Sequence, residues 1–195
     1  MTRYLGTAIR MTILTAILLG LVYPLAITGI AQVVFPGAAN GSLVKVNGKV
    51  IGSSLIAQDF TAAEYFHPRR SAAGSGYDAM ASSASNLGPT SRVLVDRVRA
   101  DVRKELAQNS GLRSGAVPVD MVTTSGSGLD PHITVANART QAPRVAAARG
   151  MSVVAVLRLV AENTAGRTLG FLGELRVNVL ELNLTLDAAQ ARGGK

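Results

Sequence analysis

Three observations predict a mixed α+β soluble domain anchored by one N-terminal transmembrane helix. An apolar run without any charged residue extends from Met11 to Phe35. A hairpin signal, Asn47-Gly48, stands between two short β-prone segments, and beyond residue 90 helix-period and strand-period patterns follow one another. The expected layout is a cytoplasmic N-terminus over 1–10, a transmembrane helix over 11–35, and a single extracytoplasmic α+β domain over 36–195, with a long loop at about 61–90.

A helix of about 25 residues spans roughly 37 Å, enough to cross a ~30 Å hydrocarbon core with some tilt. Pro24 would break such a helix in water, but in lipid neighbouring groups or a local adjustment satisfy the freed carbonyl. A cleaved signal peptide is the rival reading, with a small-residue site around Pro36-Gly37-Ala38-Ala39. Its apolar core is usually about 7–15 residues, shorter than this run. Arg3 and Arg10 precede the run and the next cation is Lys45, so the positive-inside rule puts the N-terminus in the cytoplasm and the domain outside.

Past the turn-rich exit Pro36 to Ser42, LVKV and KVIG flank Asn47-Gly48, a pair that tolerates positive φ in a type I′ hairpin. Leu55 to Phe60 fits either a strand or a short helix. From Thr61 to Thr90 the chain turns to Ala, Ser and Gly, and so long a loop is functional or disordered. It carries Tyr65, Phe66, His67, Arg69, Arg70 and Tyr77, of the residue types that dominate interfaces. Thr90 or Ser91 caps an amphipathic helix with Val95, Val98, Val102 and Leu106 on one stripe, closing at Asn109-Ser110-Gly111. AVPVDMV reads as a strand, and TTSGSG as a flexible link. Asp130-Pro131 starts a turn, Thr134 caps a short helix, and Pro143 opens a second helical piece ending at Gly150. Ser152 caps a helix with Val153, Val156, Leu157 and Val160 inward. Leu180, Leu182, Leu184 and Leu186 alternate with other residues in RVNVLELNLTLD, a strand pattern, and the tail from Ala188 to Lys195 frays.

The net charge of +8 points to nucleic acid, anionic lipid or an acidic protein. Without tryptophan and with 4% aromatic residues, stacking platforms for nucleic acid are scarce. Zero cysteines exclude disulfides and thiolate chemistry, and two histidines, His67 and His132, make no His-rich metal site. Ser125 or Ser127 with Asp130 and His132 would supply a nucleophile and base, but no G-x-S-x-G elbow is present, and a lone histidine after Asp-Pro more often holds a turn. No Walker A or G-x-G-x-x-G motif occurs, and a neutral lone span makes no ion path. The residues therefore describe an anchored domain without recognisable active chemistry, which favours an accessory membrane subunit. The alternatives are a signal-anchored extracytoplasmic enzyme and an envelope-binding module.

Several blocks in order resemble one family: VYPLAITG, FPGAANGSLV, GSSLIAQDF with YFHPRRSA, SSASNLGPT, SGLDPHIT, QAPRVAAARG and LGFLGELRVNVLELNLTLD. Over nearly its full length the chain resembles the KdpC family, the C subunit of the bacterial high-affinity potassium-transporting P-type ATPase. It departs from the family pattern at Arg70, where the family usually has proline, at Ser83 and Ala84, where it has two glycines, and at Leu175, where it often has proline. The resemblance implies a non-catalytic subunit in the cell inner membrane. Its implied partners are a potassium-channel-like subunit, an ATP-hydrolysing P-type subunit and a small single-helix subunit. It implies support for assembly and a raised ATP affinity of the hydrolysing subunit, with no stably bound cofactor of its own. By position in the family's motif, Gln141 is the residue implied to lie near nucleotide, whereas the topology expected from charge separates it from cytoplasmic ATP and makes its effect indirect. The interface candidates are Tyr65, Phe66, His67, Arg69, Asn86, Asp130, His132 and Arg144.

Overall fold

A computed structural model describes residues 2–193, and the chain divides into two compact units, one ending at Ser53 and the other beginning at Ser54. The first unit starts with α1 (Thr2–Ile17), which runs through a π-helical turn (Leu18–Val22) into α2 (Tyr23–Val34). Together they hold one helix, Arg3–Val34, long and apolar enough to cross a membrane. It starts before the uncharged run, so Arg3 and Arg10 lie on helical backbone. The π turn answers the problem set by Pro24, which lacks the N–H for the usual bond and crowds the carbonyl of the preceding turn. One wide turn, with Tyr23 N–H donating to Leu18 O, takes up the strain without ending the helix.

After the short helix α3 (Pro36–Ala39), β1 (Leu43–Val46) and β2 (Lys49–Ser53) form the expected hairpin. Asn47 and Gly48 sit at φ +50° and +77°, as a type I′ turn requires, and the ladder shifts register between Val44 and Lys45.

The second unit is built on helices and a small sheet. The amphipathic helix is present as α4 (Arg92–Gln108), with Ser91 at its N-cap, and ends at Asn109. AVPVDMV does not form the expected strand: its Ala116 ends a 3-10 turn (Ser114–Ala116), and its last four residues form the short helix α5 (Val119–Val122), in which Asp120 is buried. Thr134 does cap a helix, its Oγ accepting from Asn137 N–H at 3.1 Å. That helix is the single α6 (Val135–Arg149), with Pro143 inside it and Gly150 closing it at φ +64°. Pro143 and Arg139, whose carbonyl loses its partner, are both exposed, so water can serve the freed group. Ser152 caps α7 (Val153–Glu162) as expected.

β3 (His132–Thr134), β4 (Thr164–Ala165) and β5 (Arg176–Asn178) make an antiparallel sheet in the order β3-β5-β4. The predicted last strand is three residues long, and the leucine-rich remainder is α8 (Val179–Gly193). Asn178 Oδ1 accepts from Glu181 N–H at 3.2 Å and starts the helix. Val179, Leu182 and Leu186 then fall on one buried face. The tail from Ala188 is helical through Gly193 rather than frayed, and Gly194 and Lys195 lie outside the described residues. Leu55 to Phe60 is turn and irregular chain, neither strand nor helix. The core joins Ile133, Val145, Val156, Val160, Val177, Leu182 and Leu186 around Phe66. The TTSGSG link is tightly packed, since a Cβ on Gly128, at φ +69°, would stand 2.6 Å from Ser83 O.

Candidate functional site

The stretch from Ala57 to Ala73 contains no helix or strand, yet Ala57, Phe66 and Ala73 are buried. Two side-chain amides hold its centre. Asn183, from α8, accepts from Phe66 N–H at 2.8 Å and donates to Phe66 O at 3.0 Å. Gln141, from α6, repeats the arrangement one residue on, accepting from His67 N–H at 2.8 Å and donating to His67 O at 3.0 Å. An amide side chain carries the donor and acceptor of a peptide group, so this pair replaces the neighbouring strand that the segment lacks.

Gln141 is 2% exposed. Its second N–H donates to Asn137 Oδ1 at 2.7 Å, and its oxygen accepts a second bond from Arg144 at 2.6 Å. Two donors and two acceptor positions are thereby used within the fold. Arg144 also donates to the carbonyls of Ala63, at 2.6 Å, and Tyr65, at 3.1 Å. Burial lowers its pKa, and nearby Glu105 opposes that shift. Arg149 closes the same segment from the end of α6, bonding Glu64 O at 2.6 Å, Gln190 at 2.9 Å and Asp187 at 2.8 Å. Its guanidinium lies 4.9 Å from the centroid of the Tyr65 ring.

Farther along, Arg69 pairs with Asp130 at 3.1 Å and donates to Thr124 O at 3.2 Å. Asp130 accepts the backbone N–H of His132 at 3.0 Å, and His132 Nδ1 is 3.5 Å from the same carboxylate. Asp120 accepts from Thr134 N–H at 2.7 Å, from the Thr134 hydroxyl and from Asn137. Two carboxylates thus occupy backbone donors of β3, an edge strand, and blunt that edge. The serines considered as nucleophiles are engaged in the turn, with Ser125 accepting from Asp130 N–H at 3.4 Å and Ser127 from Leu129 N–H at 3.1 Å.

His67 lines a cleft with Phe60, Arg70, Tyr77, Asp101 and Glu105. Its ring Nε2 is 3.0 Å from Ala62 O, and burial, then Arg144, holds its pKa below the usual histidine range. Burial pushes the Tyr77 hydroxyl up to about 12, and the same effect raises Glu105. Tyr77 donates to Arg69 O at 2.9 Å. Among the described residues no group of three His, Asp or Glu side chains could hold a metal ion.

Of the residues singled out from the sequence, Tyr65, Phe66, His67, Gln141 and Arg144 meet at the amide pair, and Arg69, Asp130 and His132 form the adjoining cluster. Phe66 is fully buried and presents no contact surface, while Asn86 stands apart, exposed, at φ +51°. Asn183, Asn137 and Arg149, which hold this site, are not singled out by any local motif in the sequence. A polar residue such as Asn183 inside a leucine-rich pattern was the available signal.

A family model described as KdpC, K+-transporting ATPase, c chain, matches residues 5–188. The Potassium-transporting ATPase KdpC subunit of Koribacter versatilis is 56% identical over 190 residues, 97% of each chain. That of Myxococcus xanthus is 57% identical over 182 residues, covering 93% of this chain and 86% of the relative. The Mycobacterium tuberculosis H37Rv subunit is 54% identical over 187 residues, covering 96% and 99%.

Proposed function

The chain belongs to the family of the K+-transporting ATPase c chain, and is a subunit of that complex, from which premise we propose that it works without catalysis, as an assembly subunit whose influence on ATP is indirect. In this reading its helix packs against the potassium-conducting subunit, with Arg3 and Arg10 on the cytoplasmic side. The second unit lies outside the membrane, over the mouth of that subunit. The P-type subunit that hydrolyses ATP and a small single-helix subunit complete the assembly.

One observation carries the indirect role: the amide of Gln141 is buried and spends all four of its hydrogen-bonding positions on the fold. Nucleotide could reach it only if His67, Asn137 and Arg144 gave up their bonds. The subunit raises ATP affinity instead by binding one conformation of the pump more tightly than another, the only route that linkage allows without shared contacts.

The test compares two substitutions in the assembled complex. Gln141→Ala and Asn183→Ala each remove half of the amide pair and are expected to change the KM for ATP alike, or not at all. A large rise confined to Gln141→Ala favours direct contact and overturns the proposal. Topology is checked by Met80→Cys, a position 98% exposed in a chain without cysteine, using an impermeant thiol reagent on intact cells. Labelling is expected, and protection until the inner membrane is permeabilised would place the domain in the cytoplasm.

A further inference from the structure

The connection between β4 and β5, residues 166–175, is held by its own backbone. Thr168 and Leu172 exchange N–H to carbonyl bonds of 2.9 Å each, Gly170 N–H donates to Arg167 O at 3.0 Å, and Arg167 pairs with Glu174 at 3.0 Å across the base. This ordered frame displays apolar side chains to solvent: Leu169 is 79% exposed, Phe171 68%, Leu172 49% and Leu175 50%. Leu169 moreover sits at φ +54°, a left-handed conformation unfavourable for a bulky residue. Neither the exposure nor the strain stabilises the isolated chain. Strain kept at an exposed apolar residue points to a contact outside the chain.

Two features choose the occupant. Of the two arginines at the base, Arg167 pairs with Glu174 and Arg176 donates to Gly166 O at 3.4 Å, whereas segments that insert into lipid flank their apolar face with free lysine or arginine. Leu175 also lines the cleft that contains Arg69, Asp130 and His132, so the tip continues the surface bearing the candidate assembly residues. A preorganised aromatic and aliphatic anchor beside a polar cleft has the anatomy of a protein interface. We propose that the Leu169–Phe171–Leu172 tip inserts into an uncharged, apolar pocket on a partner subunit of the same ATPase complex. This inference rests on the reading of the chain as an assembly subunit.

The intact complex in its native membrane provides the test. With Phe171→p-benzoylphenylalanine, irradiation is expected to give an adduct with another subunit of the complex. An adduct with lipid alone, or none, overturns the proposal. In parallel, the triple variant Leu169→Ser, Phe171→Ser and Leu172→Ser is expected to keep the melting temperature of the free chain within a few degrees, because none of these side chains belongs to the buried core cluster. It is expected to leave the detergent-solubilised complex about tenfold faster or more. If the wild-type chain does not co-purify with the ATPase, the assembly reading itself fails; if it does and the triple variant dissociates no faster, the tip alone is refuted.

Discussion

The segment from Ala57 to Ala73 and the connection from 166 to 175 invert one another. The first is rich in small and polar residues, lacks regular structure, and still sends Phe66 wholly into the core, where Asn183 and Gln141 grip its backbone. The second is a turn closed by its own backbone bonds and directs Leu169 and Phe171 out to solvent. Backbone order and side-chain burial are separate quantities. The first segment is ordered by what lies beneath it, and the second is ordered to be met by something else.

Four substitutions or conditions press on this contrast. The largest effect is expected from Phe66→Ala, which empties a fully buried ring site and should cost about 3–5 kcal/mol of unfolding free energy, measured by urea titration in detergent. Asn183→Ala leaves the N–H and C=O of Phe66 without partners in a buried site and should cost about 2–3 kcal/mol; a neutral result would mean that the segment is held by its apolar contacts alone.

A smaller effect depends on pH. His67 titrates below 6.5 in the folded chain, so below that pH the unfolded chain takes up a proton that the folded one refuses. Stability from this group is whole above 6.5 and falls as acid is added toward the folded value. Glu105, raised above 4.5, works in the opposite sense, since acidification through its folded pKa relieves the cost of its buried charge. The urea midpoint is expected to drop between neutral pH and about pH 5.5, and less so in His67→Gln, which keeps a donor for Ala62 O. An identical drop in that variant would assign the effect elsewhere. The smallest change is expected at the tip: Leu169→Gly relieves the left-handed leucine and loses no buried contact, so folding stability should move by less than about 0.5 kcal/mol.

Elements whose signals are local were legible in the sequence. Asn47-Gly48 specifies its hairpin through backbone freedom alone, Thr134 and Ser152 each cap the helix that follows, and the apolar run lies in a helix long and apolar enough to cross a membrane. Failures came where a local pattern fits two periods. In the last element Leu182 and Leu186 are four apart as well as even-spaced, and Asn178 followed by Glu181 was a helix start that the leucine alternation concealed. Pro143 suggested a break because its cost is judged in isolation, while here the freed carbonyl lies on an exposed face. The site was legible as residue types but not as roles. Arg144 and Gln141 could be named from their motif, yet that they serve the backbone of a loop some 75 positions earlier is a long-range fact, printed in no local pattern.

The wide turn from Leu18 to Val22 inserts the equivalent of one residue into an otherwise α-helical span. At 3.6 residues per turn, that insertion rotates everything downstream by about 100° relative to an uninterrupted helix. The span therefore presents two phases, one up to Ile17 and another from Tyr23, and a neighbour that follows a single stripe on the first half meets a different stripe on the second. Such a helix reads its surroundings like a key cut on two faces, and a uniform apolar span of equal length would fit only one of them.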